Sequence, residues 1–72
     1  MLEKLLGKRI AELRKAKGLS QEALAAKSKY STEFISLVER GINAPAVSGL
    51  ERIAKALKVE VKALFEFERA AK

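Results

Sequence analysis

Gly18-Leu19-Ser20-Gln21-Glu22-Ala23-Leu24-Ala25-Ala26-Lys27-Ser28-Lys29-Tyr30-Ser31-Thr32-Glu33-Phe34-Ile35-Ser36-Leu37-Val38-Glu39-Arg40-Gly41 contains two short stretches, each opened by a serine. Gly18 can take the positive φ that ends a helix, and the Ser20 side chain can cap the next one. Gln21, Glu22, Ala23, Leu24, Ala25 and Ala26 are good to fair helix formers, so a helix is predicted from about Gln21 to Lys27. Ser31 offers a second cap, Glu33 puts a negative charge in the first turn where the helix dipole favours it, and Gly41 supplies a second stop. These signals predict a helix from about Thr32 to Arg40. On a 3.6-residue period Phe34, Ile35 and Val38 share one face, while Thr32, Glu33, Ser36, Leu37 and Arg40 lie on the other.

Two short helices joined by a tight turn make a helix-turn-helix, spanning about residues 20–41. Upstream, Leu2, Leu5, Leu6, Ile10, Leu13 and Ala16 follow helical spacing with Arg9, Glu12 and Lys15 turned outward, which predicts helix 1 over about Leu2 to Lys17. Downstream, the loop Gly41-Ile42-Asn43-Ala44-Pro45 precedes Leu50, Ile53, Ala54 and Leu57, marking helix 4 from about Val47 to Leu57 with a first turn weakened by Gly49. Val61, Leu64 and Phe65 begin a short helix 5, and residues 66–72 either prolong it or fray. No strand pattern, repeat or linker interrupts the chain. The expected fold is therefore all-α, a compact five-helix bundle forming one domain over residues 1–72.

With 72 residues, 49% hydrophobic but only four aromatic, the core must be small and aliphatic. The stability expected of such a monomer is about 4 to 10 kcal/mol. There is no cysteine and no histidine, which removes disulfides, thiol or imidazole chemistry and the usual zinc ligands. The carboxylates are all glutamates spread over separate helices, a poor basis for a hydrolase. No apolar run approaches the roughly 18 residues of a membrane span, and the N-terminal segment lacks the pattern of a signal peptide. The cytoplasm is the expected location.

The net charge of +6 is unevenly distributed. Residues 1–29 carry a net +5, residues 30–57 are neutral and residues 58–72 carry +1. A basic excess attracts any polyanion, so charge alone leaves nucleic acid, a membrane surface and a merely solvated lysine-rich face open. Basic flanks around a near-neutral second helix do fit a division in which the edges hold phosphates and the middle senses bases.

The ordered set Leu13-Arg14, Gly18-Leu19-Ser20-Gln21-Glu22, Leu24-Ala25, Ser31, Ile35-Ser36, Val38-Glu39-Arg40-Gly41, Asn43, Pro45, Leu50, Ile53-Ala54, Ala56-Leu57 and Val59 resembles the lambda-repressor-like helix-turn-helix family. That family includes phage repressors, Cro and restriction-modification controller proteins, and the resemblance covers about Leu6 to Phe65. It implies a DNA-binding domain whose second motif helix enters the major groove. Thr32, Glu33, Ser36 and Leu37 match the positions that reach base edges. Thr can bond to bases or touch a thymine methyl, Glu can accept from a cytosine amino group, Ser is permissive and Leu makes only apolar contact. Glu33 can alternatively serve only the helix dipole.

Phosphate contacts are expected from Gln21, Lys29, Ser31, Arg40 and Asn43, the first by the resemblance together with the helix amides beside it. The alternative for Gln21 is a solvent-exposed helix former. Family members commonly carry glycine where Lys29 and Lys58 stand, because the chain there turns left-handed; a lysine costs about 1 to 2 kcal/mol in that geometry. Either the strain is tolerated or the turn differs. Tyr30 stands where an aliphatic residue is usual and reads as half-buried packing. Arg14 and Glu39 match a partly buried salt bridge between helix 1 and the reading helix, expected to set that helix's angle.

One reading helix covers about four base pairs, so specificity calls for a two-fold dimer on two half-sites. Val61, Leu64, Phe65 and Phe67 are the expected dimer surface, within a region over about residues 59–72; alternatively all four complete the monomer core. The expected function is a homodimeric regulator that occupies an inverted-repeat operator and blocks or recruits RNA polymerase. It needs no cofactor, metal or small-molecule ligand. Two other uses of the bundle stand beside it: an antitoxin subunit, which extra terminal arms would favour, and a protein-interaction adaptor, which absence of salt-dependent DNA binding would favour.

Overall fold

A computed structural model describes residues 1–67, and the part of the expected helix 5 and dimer region at 68–72 lies outside them. Four α-helices are followed by a short 3-10 helix: α1 (Leu2–Ala16), α2 (Gln21–Ser28), α3 (Thr32–Glu39), α4 (Val47–Leu57) and the 3-10 helix (Val61–Phe65). The serine caps form as their positions demand. Ser20 Oγ accepts from the Ala23 N–H and Ser31 Oγ from the Phe34 N–H, each at 3.0 Å.

All four helices stop in the same way. Just past each C-terminus the chain turns left-handed, at Gly18, Lys29, Gly41 and Lys58, with φ of 72°, 64°, 79° and 61°. The next N–H then reaches back to the last turn: Leu19 to Arg14 O, Tyr30 to Ala25 O, Ile42 to Leu37 O and Val59 to Ala54 O, at 2.9–3.0 Å. This closure satisfies carbonyls that the helix itself leaves open. The two lysines tolerate the strain that glycine would avoid.

Leu6 and Ile10 of α1, Leu24 and Ala25 of α2, Ile35 and Val38 of α3, Ile53, Ala54 and Leu57 of α4, and Leu64 form the core. Leu13, Leu19, Tyr30, Phe34, Leu50, Ala56 and Val59 pack around it. Ser28, fully buried, donates to Leu24 O at 2.8 Å, and no buried side-chain N or O among the described residues lacks a partner. α1 and α3 approach so closely at Gly7 that a Cβ there would overlap the carbonyl oxygen of Val38 and lie 2.8 Å from that of Glu39.

Three expectations change. The fifth element is a 3-10 helix, held against α1 by a hydrogen bond from Arg9 Nε to Ala63 O at 2.9 Å, so Arg9 is half-buried rather than turned out. Leu64 belongs to the monomer core and is fully enclosed, which removes it from the expected dimer surface. Leu2, Leu5 and Ala16 follow the helical spacing of α1 but lie exposed: its apolar stripe is wider than the bundle covers.

Candidate nucleic-acid interface

Ile35 and Val38 are sealed in the core, and that fixes which way α3 faces. On its other side Thr32, Glu33 and Arg40 are exposed, and Ser36 and Leu37 half-buried. The polar side expected from the sequence is thus the outward side. Ser31 is exposed at the cap, and its hydroxyl proton remains free to donate because its oxygen is the acceptor of the cap bond.

The far end of α3 is fastened by Glu39. Its carboxylate accepts from Arg14 Nε at 2.6 Å and Arg14 Nη2 at 3.1 Å, and from Gln21 Nε2 at 2.9 Å. Arg14 Nη1 donates to Leu19 O at 2.8 Å. The two charged side chains keep only 11% and 7% of their exposure. The Arg14 guanidinium therefore ties α1 to the loop before α2 and to the end of α3, and the Glu39 carboxylate adds the start of α2 through Gln21. The resemblance implied the Arg14–Glu39 pair; the participation of Gln21 has no signature in spacing, since its partner lies on another helix. One amide N–H of Gln21 is committed here, and the other makes no hydrogen bond among the described residues.

At the other end of the motif, Tyr30 lies between Phe34, with ring centroids 4.5 Å apart, and the Arg52 guanidinium, 4.6 Å above its ring. Arg52 Nε also donates to Ser28 O at 2.9 Å, so α4 grips the turn. Gly49 is needed for the same contact: a Cβ would overlap the Tyr30 hydroxyl. The sequence marked Gly49 only as a weak helix residue.

Lys29, Arg40 and Asn43 are exposed, and Gln21 is half-buried. Gln21, Ser31, Arg40 and Asn43 are thus disposed around α3, with Lys29 in the turn before it.

The helix-turn-helix family model matches residues 10–64. The chain belongs to that family. It is accordingly a DNA-binding transcriptional regulator and not an enzyme. Over 58 residues it is 43% identical to a protein of Sinorhizobium fredii described as an uncharacterized HTH-type transcriptional regulator, y4dJ, covering 81% of this chain and 75% of that one. The control protein C.BamHI of Bacillus amyloliquefaciens is 36% identical over 64 residues, covering 88% and 79% respectively. The restriction-modification controller protein C.AhdI of Aeromonas hydrophila superposes with a TM-score of 0.84 at 40% identity, covering 86% of this chain and 94% of its own. No helix among the described residues of this family member is long and apolar enough to cross a membrane, and no group of them could hold a metal ion.

Apolar side chains are exposed at Ile42 and Val47, after α3 and at the start of α4, and in a second group on α1 and the 3-10 helix. Val61 and Phe65 are exposed on the 3-10 helix, and Phe67 packs edge-on to Phe65 at 6.2 Å. Leu5 and Phe67 line one small depression of about 50 Å³. Sequence alone misses Leu5 as a member of this surface, because its helical spacing reads as core.

Proposed function

We propose that this regulator acts as a homodimer on an inverted-repeat operator, each protomer laying α3 in the major groove. Thr32 and Glu33 meet base edges first, with Ser36 and Leu37 one turn further along. Arg40, Asn43, Lys29, the Ser31 hydroxyl and the free N–H of Gln21 hold phosphates on either side. What supports this is the exposure of Thr32 and Glu33 at the first turn of a helix whose opposite face is sealed in the core. Val61, Phe65 and Phe67, with Leu5, form the dimer surface. All of residues 1–72 serves this one domain, and a protein working on operator DNA belongs in the cytoplasm.

The absence of Arg, Lys, Asn and Gln between Thr32 and Glu39 means that no bidentate donor meets guanine or adenine from the first two turns of α3. Recognition then leans on cytosine amino groups, thymine methyls and groove shape. Selection of bound duplexes from a random pool tests the proposal. An inverted repeat with half-site centres about 34 Å apart supports it; enrichment of single, unpaired sites contradicts it.

A further inference from the structure

Between the C-terminal ends of α1, α2 and α4 lie two adjoining depressions of about 470 and 220 Å³ that share Lys27, Ala56 and Lys58. Their rims carry six cations: Lys17, Lys27, Lys29, Arg52, Lys55 and Lys58. No glutamate lines either depression, and the ion pairs among the described residues lie elsewhere.

Cations at helix C-termini are ordinarily explained by the helix dipole. Here three helices end at this place, at Lys17, Lys29 and Lys58. Each C-terminus is equivalent to roughly −0.5 charge, so the three offset about one and a half of six positive charges. A surplus of about four and a half remains, and it is confined to one trough.

The floor separates the candidate occupants. Leu19 and Ala56 pave the trough beneath the lysines, and no residue of α3 lines it. A phosphate backbone gains nothing from an apolar floor, whereas a peptide with apolar side chains between carboxylates uses floor and rim together. Arg52 is prepared for a carboxylate: Nε is fixed on Ser28 O and the plane rests on Tyr30, which leaves Nη1 and Nη2 with no hydrogen bond among the described residues.

We infer that this basic trough is a docking site for an acidic segment of a partner protein, carboxylates alternating with apolar side chains. The site goes beyond operator binding: Lys29, which holds a phosphate in the proposed operator complex, is shared at its rim, and Lys17, Lys27, Arg52, Lys55 and Lys58 serve the docking without it. Amide chemical-shift mapping of the full chain tests it, with a short peptide alternating Glu with Leu and Phe as probe and an all-Glu peptide of equal length as control. The expected result is shifts at Leu19, Lys27, Lys55 and Ala56 with α3 unmoved, and weaker binding of the all-Glu control. K27E/K55E should bind the mixed peptide about tenfold more weakly, at unchanged circular dichroism; should that variant not fold, K55Q alone should weaken it several-fold. Shifts confined to α3, equal binding by the variants, or displacement of the peptide from the trough by a duplex of arbitrary sequence would each overturn the inference. The last outcome would assign the trough to the DNA backbone.

Discussion

Arg14 and Glu39, 25 residues apart, meet through two hydrogen bonds of 2.6 and 3.1 Å in a pair almost closed to solvent. Burying two charges gains little net stability, but leaving one of them alone is costly, typically about 3 to 5 kcal/mol. Arg14→Met should therefore destabilise the protein by about 3 kcal/mol in urea unfolding. Arg14→Met combined with Glu39→Leu should recover most of that loss while leaving DNA affinity reduced, since α3 is no longer held at its angle. Recovery of both together would contradict the orienting role of the pair.

Close approach at two glycines gives a contrast. Gly7→Ala sets a methyl against the Val38 carbonyl, and backbone cannot step aside; a loss of about 3 kcal/mol is expected. Gly49→Ala meets the Tyr30 hydroxyl instead, at the end of a ring pinned by Arg52 and Phe34. It should cost about 2 kcal/mol despite the better helix propensity of alanine. Adding Tyr30→Phe should return part of it, as the ring carbon beneath the hydroxyl still stands 2.9 Å away. Thermal unfolding of Gly49→Ala, Tyr30→Phe and the double variant beside the native protein gives the coupling directly.

Lys58 sits at φ 61°, where a Cβ is strained. Lys58→Gly should raise stability by about 0.5 to 1 kcal/mol, the relief of strain less the added freedom of the unfolded chain. Lys58→Ala, with the Cβ retained, should show no such gain. A lower melting temperature for the glycine variant would mean that the turn is not strained.

The helix starts and stops were legible because serine caps and left-handed closures act within five residues of their own position. That is why Ser20 and Ser31 mark the starts of α2 and α3 and Gly18 and Gly41 the stops of α1 and α3, to within one residue, whereas the left-handed stop of α2 at Lys29 stays open in the sequence. The outward side of α3 was equally legible, since Ile35 and Val38 define the buried direction. What escaped depends on contacts across the chain. Periodicity cannot say how much of an apolar stripe a neighbour will cover, so Leu5 read as core and Leu64 as surface. Nor does spacing tell why Gly49 is small, or that Gln21 reaches Glu39, because Tyr30 and Glu39 come from other elements.

Removing an exposed cation that holds a phosphate should act alike on every duplex. Arg40→Ala, at an exposed position, should weaken operator and random DNA by similar factors. It should also flatten the dependence of log affinity on log salt by about one for each phosphate no longer neutralised. Fluorescence anisotropy across a salt series measures both; weakening restricted to the operator would move Arg40 from the phosphates to the bases.

On the 3-10 helix, Phe65→Ser should shift the protein toward monomer in sedimentation and lower monomer stability by about 1 to 2 kcal/mol, because Phe65 is only partly exposed. An unchanged sedimentation coefficient would remove Phe65 from the interface.

Operator reading, as proposed, rests on base contacts from Thr32 and Glu33. Duplex selection from a random pool, carried out side by side with the native protein, Thr32→Ala and Glu33→Gln, tests it most directly. An inverted repeat is expected in every case, with the preferred base altered at symmetric positions of both half-sites in each variant. Identical preferences from all three proteins would contradict it.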